Sequence, residues 1–194
     1  MQPLRDLIKI EDDDADLVAR VLSGDMRAKS TLYRKHVRYI GGMVTRLLRH
    51  HTESEDVVQD TFTIALSEIR TLRDASAFRG WLAQIAVSQV RRKLRRRRLL
   101  AALGLDSGLP DAPLASMARH DTSVEVRSEL VALDRVLYHL PPSQRIAWML
   151  RHVEGESLED VARACDCSLA TAKRWISNAD TCVRAHVKFE EPRT

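Results

Sequence analysis

The residues of this chain that can do chemistry are mostly charged, and they are grouped by sign. Residues 91–98 read RRKLRRRR, seven basic side chains in eight positions. A block this dense repels itself and calls for an anionic partner. A phosphate backbone is the commonest such partner, and it is held through counterion release. Phe78 and Trp81 precede the block, which sets aromatic groups near positive charge, the combination that grips unpaired bases together with their backbone. The competing readings are a solvated basic run and, for both aromatics, core packing. A second nucleic-acid signal follows at residues 157–175, SLEDVARACDCSLATAKRW. A short helix, a turn of three or four residues and a longer helix make the helix-turn-helix pattern. On the longer helix Leu169, Ala172, Ile176, Ala179 and Val183 fall on an inward face. Ala170, Thr171, Lys173, Arg174, Ser177 and Asn178 fall on the other, with Ser168 as the cap. These side chains are short or basic enough to approach a major groove and donate to bases and phosphates. A helical hairpin with a wet basic face is the alternative.

The third constellation has the opposite sign. Asp56, Gln59, Asp60 and Thr63 are spaced i, i+3, i+4, i+7 and share one helical strip. Carboxylates do not belong on a phosphate-facing surface, so the strip is either solvent cover or a dock for a basic protein. The run EDDDAD at Glu11–Asp16 adds to this asymmetry, which the modest net charge of +4 conceals. Cys165 and Cys167, with Cys182 and His186, could be assembled into a four-ligand zinc site. Their spacing is not that of a usual finger, and Cys165 sits where a helix-turn-helix buries a small apolar residue, so neither metal nor cofactor is expected. Three cysteines, an odd count, argue against a disulfide framework. There is no Gly-rich phosphate loop and no Ser/His/Asp set, so the chain is not expected to be an enzyme.

The elements that must carry these groups are helical. Of the 194 residues 44 % are hydrophobic but only 5 % aromatic, which suits a core of Leu, Val, Ala and Ile at helical spacing. Period-2 alternation persists nowhere, and the fold class expected is all-α. Helices are expected at 14–23, at 27–50 with Gly41-Gly42 inside, from a capping box at Thr52-Glu53-Ser54-Glu55, and at 78–100 after a loop at 72–77. Residues 101–122 lose the period and carry two Pro and two Gly, the marks of a linker. The expected architecture is therefore two small helical domains joined by a flexible linker: 10–100, then 101–122, then 123–187, the last containing the helix-turn-helix. No apolar run approaches the ~20 residues that span a bilayer. No signal peptide is visible, so a cytoplasmic chain without membrane insertion is expected.

These parts, in this order, resemble the extracytoplasmic-function (ECF) sigma factors of bacterial RNA polymerase. The resemblance rests on ESEDVVQDTFTIAL through FRGWLAQIAVSQVRRKLRRRR, and on LYHLPPSQRIAWMLRHVEGESLEDVARACDCSLATAKRWISNA. It implies a transcription-initiation factor that binds core polymerase, directs promoter recognition and helps open the duplex. Asp56, Gln59, Asp60 and Thr63 would dock a coiled coil of the beta-prime subunit, within a contact to beta-prime and beta. Phe78, Trp81, Ser88, Arg91, Arg92, Arg95 and Arg96 would serve the minus-ten element. Ser168, Ala170, Thr171, Lys173, Arg174, Ser177 and Asn178 would serve the minus-thirty-five element of promoter DNA. An anti-sigma factor is an expected partner. The chain departs from the family pattern at Ser88, usually Asn, at Arg92, usually acidic, and at Trp175, usually Arg. The first two departures favour backbone binding over base reading. Trp175 either packs on sugar or a thymine methyl, or alters the sequence read. The rival readings are a stand-alone helix-turn-helix regulator and a polymerase-binding adaptor without melting activity.

Overall fold

The computed structural model describes residues 13–105 and 123–187. Among them the regular structure is eight α-helices and two 3-10 turns, with no strand, as the all-α reading expects. Helix α1 (Asp14–Leu22) buries Leu17, Val18 and Val21. Helix α2 (Met26–Leu48) starts at Asp25, whose carboxylate accepts from the backbone N–H of Arg27 at 2.8 Å and of Ala28 at 3.2 Å. Two of the donors that every helix start leaves unmatched are thereby satisfied. Inside α2, a β-carbon at Gly42 would lie 3.1 Å from the Arg46 guanidinium, so the missing side chain is what gives Arg46 its room.

Helix α3 (His51–Glu68) begins earlier than the capping box predicts. Arg49 adopts the left-handed conformation, φ 58°, which ends α2 sharply and brings the next helix in at once. The N-cap is His50, whose ring nitrogen accepts from Glu53 N–H at 3.5 Å, and Ser54 Oγ donates back to the His50 carbonyl at 2.7 Å. The 3-10 turn Ala75–Ala77 lies in the loop expected at 72–77, and another, Ile69–Thr71, comes just before it. Helix α4 (Phe78–Ala102) continues as α-helix through the whole arginine block. It stops at Gly104, φ +69°, where Leu105 N–H donates to the Leu100 carbonyl at 2.9 Å and Gly104 N–H to that of Ala101 at 3.0 Å. That pair is a Schellman motif. The linker expected at 101–122 thus begins inside the end of α4. Residues 106–122 lie outside the described residues, as do Glu11 and Asp12 of the acidic run.

Beyond the gap come α5 (Val124–His139), α6 (Pro142–His152), α7 (Leu158–Ala164) and α8 (Leu169–Val187). Pro142 opens α6, where its lacking N–H leaves nothing unpaired. Buried side chains of α1–α4, such as Leu32, Ile40, Leu47, Leu82 and Val90, join those of α5–α8, such as Leu137, Ile146, Val161 and Ala172, in one apolar cluster. The junction is α4, which packs against α7 and touches α6.

Polar contacts line the same seam. Arg46 pairs with Glu154 at 2.5 Å, Arg49 with Asp134 at 2.5 Å and Arg79 with Glu156 at 3.0 Å. Tyr39 donates its hydroxyl to Glu156 at 2.6 Å while the Arg79 guanidinium lies over its ring at 4.2 Å. Burial, then the bonded Glu156 carboxylate, raises the Tyr39 phenol well above its ordinary pKa. The three carboxylate side chains are 6–13 % exposed, so removing their charge leaves cations without compensation.

Two outcomes follow from this packing. Leu82→Ala empties a fully buried site in α4 and should cost about 2–5 kcal/mol in a denaturant titration. Glu154→Gln combined with Glu156→Gln should raise the radius of gyration in small-angle X-ray scattering while leaving the helical circular-dichroism signal intact. An unchanged radius would mean that the apolar contact alone holds the two helical groups together.

Candidate nucleic-acid interface

On α3, Asp56, Gln59, Asp60 and Thr63 are all exposed. The helix instead buries Ser54, Val57, Thr61, Phe62 and Ala65. Thr61 can be buried because its hydroxyl donates to the Val57 carbonyl at 2.6 Å, and Val58 and Leu66 are only half-buried. Asp56 and Asp60 make no ion pair among the described residues. They face Arg92, Lys93 and Arg96 of α4 across a groove of about 340 Å³. On the other flank Gln59 and Thr63 border a second groove, about 600 Å³, walled by Tyr33, Val37, Val58, Phe62 and Leu66. The Tyr33 and Phe62 rings meet edge-on at 4.7 Å. Tyr33, Val37 and Gly41 at i, i+4 and i+8 were the sequence signal for this apolar face, since a glycine at the third position leaves a hollow.

The turn before α4 is held by Asp74, which accepts from Ser76 N–H at 2.9 Å and Ser76 Oγ at 2.6 Å. The Ser76 hydroxyl, then its N–H, holds the Asp74 carboxyl below the usual range. Phe78 is 1 % exposed, its ring 5.3 Å from that of His36 and 6.0 Å from that of Trp81. It packs inward and offers no surface to a base, a correction to its place among the nucleic-acid contacts. A side chain at a helix start leans back over the preceding turn, and here that turn lies against α1. Trp81 is half-buried and lines a cleft of about 390 Å³ with Leu72, Arg73, Gly80 and Gln84, whose far wall is Asp160 and Arg163 of α7. Ser88 is exposed.

The arginine block divides in two. Arg91 donates to the Cys165 carbonyl at 2.6 Å. Lys93 and Arg97 both meet Glu53, and Arg97 also donates to the Leu48 carbonyl at 3.2 Å. Arg92, Arg95, Arg96 and Arg98 are exposed and have no partner among the described residues. Three of the seven cations are therefore cross-bracing and four are available to an anion.

In the second helical group Ser157 caps α7, accepting from Asp160 N–H at 3.0 Å. Its hydroxyl, more than Arg163, lowers the Asp160 carboxyl against the opposing pull of burial. Asp166, φ 49°, makes the turn. Cys165 is 1 % exposed and burial pushes its thiol up to about 12, so it serves as a small core residue. Among the described residues no group of three His, Cys, Asp or Glu is placed to hold a metal ion. On α8, Ala170, Lys173, Arg174, Ser177 and Asn178 form the exposed face while Ala172, Ile176 and Ala179 enter the core. Ser168 accepts from Thr171 N–H at 3.2 Å, and the two hydroxyls sit 2.9 Å apart, so both stand at the cap rather than out on the display face. Leu169, the first residue of α8, is 37 % exposed rather than inward. Trp175 is half-buried against the core.

The acidic corner Glu154-Gly155-Glu156 and its arginine seats were not singled out from sequence. Gly155, φ +72°, reads simply as a turn, and nothing in the pattern says that the turn lands on α2 and α4.

No helix among the described residues is long and apolar enough to cross a membrane. Residues 32–99 match the family model for sigma-70 region 2, and residues 130–179 that for sigma-70 region 4. The ECF RNA polymerase sigma-E factor of Haemophilus influenzae is 30 % identical over 178 residues, 86 % of this chain and 90 % of that protein. The RNA polymerase sigma-H factor of Pseudomonas aeruginosa is 31 % identical over 176 residues, 87 % and 91 % of the two chains. Two solved structures share the fold at 23 % identity. CnrH in complex with the cytosolic domain of CnrY has a TM-score of 0.65, covering 93 % of this chain and 100 % of that one. The sigma factor RpoE of Bartonella quintana, in complex with the anti-sigma factor NepR, has a TM-score of 0.62, covering 84 % and 98 %.

Proposed function

This chain belongs to the extracytoplasmic-function sigma factors, which direct transcription initiation by bacterial RNA polymerase, and on that premise we propose a division of labour among its surfaces. The exposed carboxylates Asp56 and Asp60, with Gln59 and Thr63, dock a basic coiled coil of the beta-prime subunit. Trp81, Ser88, Arg91, Arg92, Arg95 and Arg96 serve the minus-ten element, the arginines on backbone phosphates and Trp81 beside a captured base. The cleft against Trp81 is a fitting place for such a base, since flipping needs a pocket and a stacking wall to offset unpairing. It opens fully only when α7 moves off α4, which also frees Arg91 from the Cys165 carbonyl. Ala170, Lys173, Arg174, Ser177 and Asn178 read the minus-thirty-five element in duplex form, from a helix start held by Ser168 and Thr171. The chain works in the cytoplasm, where polymerase and promoter are, and an anti-sigma factor is its regulatory partner, as NepR is for the RpoE of Bartonella quintana.

The observation that carries this reading is the solvent-facing charge left without an ion-pair partner among the described residues: two carboxylates on α3, four arginines on α4, and Lys173 with Arg174 on α8. A stand-alone DNA binder has no use for the first set. The direct test is run-off transcription with core polymerase, with and without this protein, over a library of promoters. Promoter-specific starts that need the protein are expected, and their absence on every template would overturn the proposal.

Asp60→Lys should abolish co-elution with core polymerase on size exclusion while the fold, read by circular dichroism, is kept. Arg174→Ala should cost about 1–3 kcal/mol of upstream-element binding and change the sequence preferred, as for a side chain reading a base edge. Replacing Arg95, Arg96 and Arg98 with Gln should instead weaken promoter binding on all sequences, flattening the salt dependence by about 0.9 in log–log slope for each phosphate no longer neutralised. Fluorescence anisotropy over a salt series separates the two behaviours.

A further inference from the structure

One cluster of cations takes in Arg98 of the exposed set above but otherwise lies outside those surfaces. Where α2 ends, Arg49, Arg97, Arg98 and Arg145 converge on a cleft of about 300 Å³, between Leu48 and Leu94 on one side and Tyr138 and Pro142 on the other. Among the described residues, two carboxylates pair with these four guanidinium groups: Asp134 with Arg49 at 2.5 Å and Glu53 with Arg97. The excess positive charge sits in a partly enclosed place, where like charges repel more strongly than on an open surface.

Arg145 is the informative member. It is 7 % exposed, and its Nη2 donates to the Leu47 carbonyl at a long 3.4 Å. Its buried Nε has no hydrogen-bond partner. A buried guanidinium left with an unmatched donor is costly unless something completes it. Burial, then neighbouring Arg49, pulls its pKa down to about 10. Tyr138, 47 % exposed, forms a wall, its ring 5.4 Å from the Arg49 guanidinium. Planar guanidinium forks around an aromatic wall suit phosphate oxygens, which accept two parallel hydrogen bonds from each fork.

We infer that this cleft is an anion site for a small polyphosphate, either pyrophosphate or the phosphate tail of a free nucleotide, which bridges α2 and α4 to α5 and α6. Arg49, Arg97 and Arg98 reach the ligand from the first helical group, Arg145 and Tyr138 from the second. Occupation therefore ties the two groups together and favours the closed packing.

The test is isothermal titration calorimetry of the full chain with sodium pyrophosphate, and separately with ATP, at an ionic strength fixed by NaCl. One saturable site per chain is expected. If pyrophosphate and ATP bind alike the site reads phosphates alone, and tighter ATP binding adds the base on Tyr138. Arg145→Lys keeps the charge but removes the fork, and should weaken binding about tenfold. Because total charge is unchanged, general attraction to the arginine block does not account for such a loss. Arg98→Gln, at an exposed position without partners, should weaken binding severalfold and decides the matter should Arg145→Lys fail to fold. Arg70→Gln, exposed and remote, should bind as the parent chain does. Heats no larger than those of NaCl, equal weakening by Arg98→Gln and Arg70→Gln, or full affinity in both cleft variants would overturn the inference. A short single-stranded oligonucleotide that displaces pyrophosphate and itself depends on Arg145 would assign the cleft to nucleic acid, and would also overturn it.

Discussion

Helix α4 must bury one face in an apolar core while holding seven like charges near its end, and much of the structure answers that demand. Leu82, Ala86 and Val90 are fully buried on one side of it. The like charges are made tolerable by what faces them: Glu53 on α3, the carbonyl end of α2 at Leu48, and the carbonyl end of α7 at Cys165. Helix ends present unmatched carbonyls and partial negative charge, so two helix termini aimed at the block are a natural counterweight. The arginines left over are then free for an outside anion.

The same helix is where the two helical groups meet, and this couples recognition to shape. In the closed packing α7 forms the far wall of the cleft beside Trp81, and Glu154 and Glu156 cover Arg46 and Arg79. The carboxylates of the α6–α7 corner hold cations in the way phosphates would, so the packing and any backbone contact by those arginines exclude each other. The exposed faces of α3 and α8 remain available throughout. Under the proposed assignment, the chain meets polymerase and upstream DNA without rearrangement but needs opening to use the surface around Trp81.

The sequence made the local elements and the sign of each surface legible, and left their mutual placement hidden. The all-α class, the break before α4 and the shared strip from Asp56 to Thr63 follow from periodicity, and the buried Cys165 from its place in the helix-turn-helix pattern. The capping box at Thr52 failed because the left-handed Arg49 moved the cap to His50, a backbone event that no pattern announced. Phe78 was misread because an aromatic beside arginines has the same spacing whether it packs on His36 or faces a base. That Arg145 in SQRIAWML is buried with an unmatched Nε is visible only in the tertiary packing. Long-range ionic pairs such as Arg46 with Glu154 have no periodic signature, because they join residues about a hundred positions apart.

The closure of α4 by Gly104 has a bearing on how its cations are spaced. Twenty-five residues of uninterrupted helix make a rod of ~37 Å, with successive side chains ~100° apart around it. Inserting one residue between Val90 and Arg91 would swing every arginine by that angle and carry Arg97 away from Glu53. Inserting a near-integral number of turns would return the pattern, displaced along the axis. The phase of this rod, more than its length, therefore decides which arginines meet Glu53 and which face solvent.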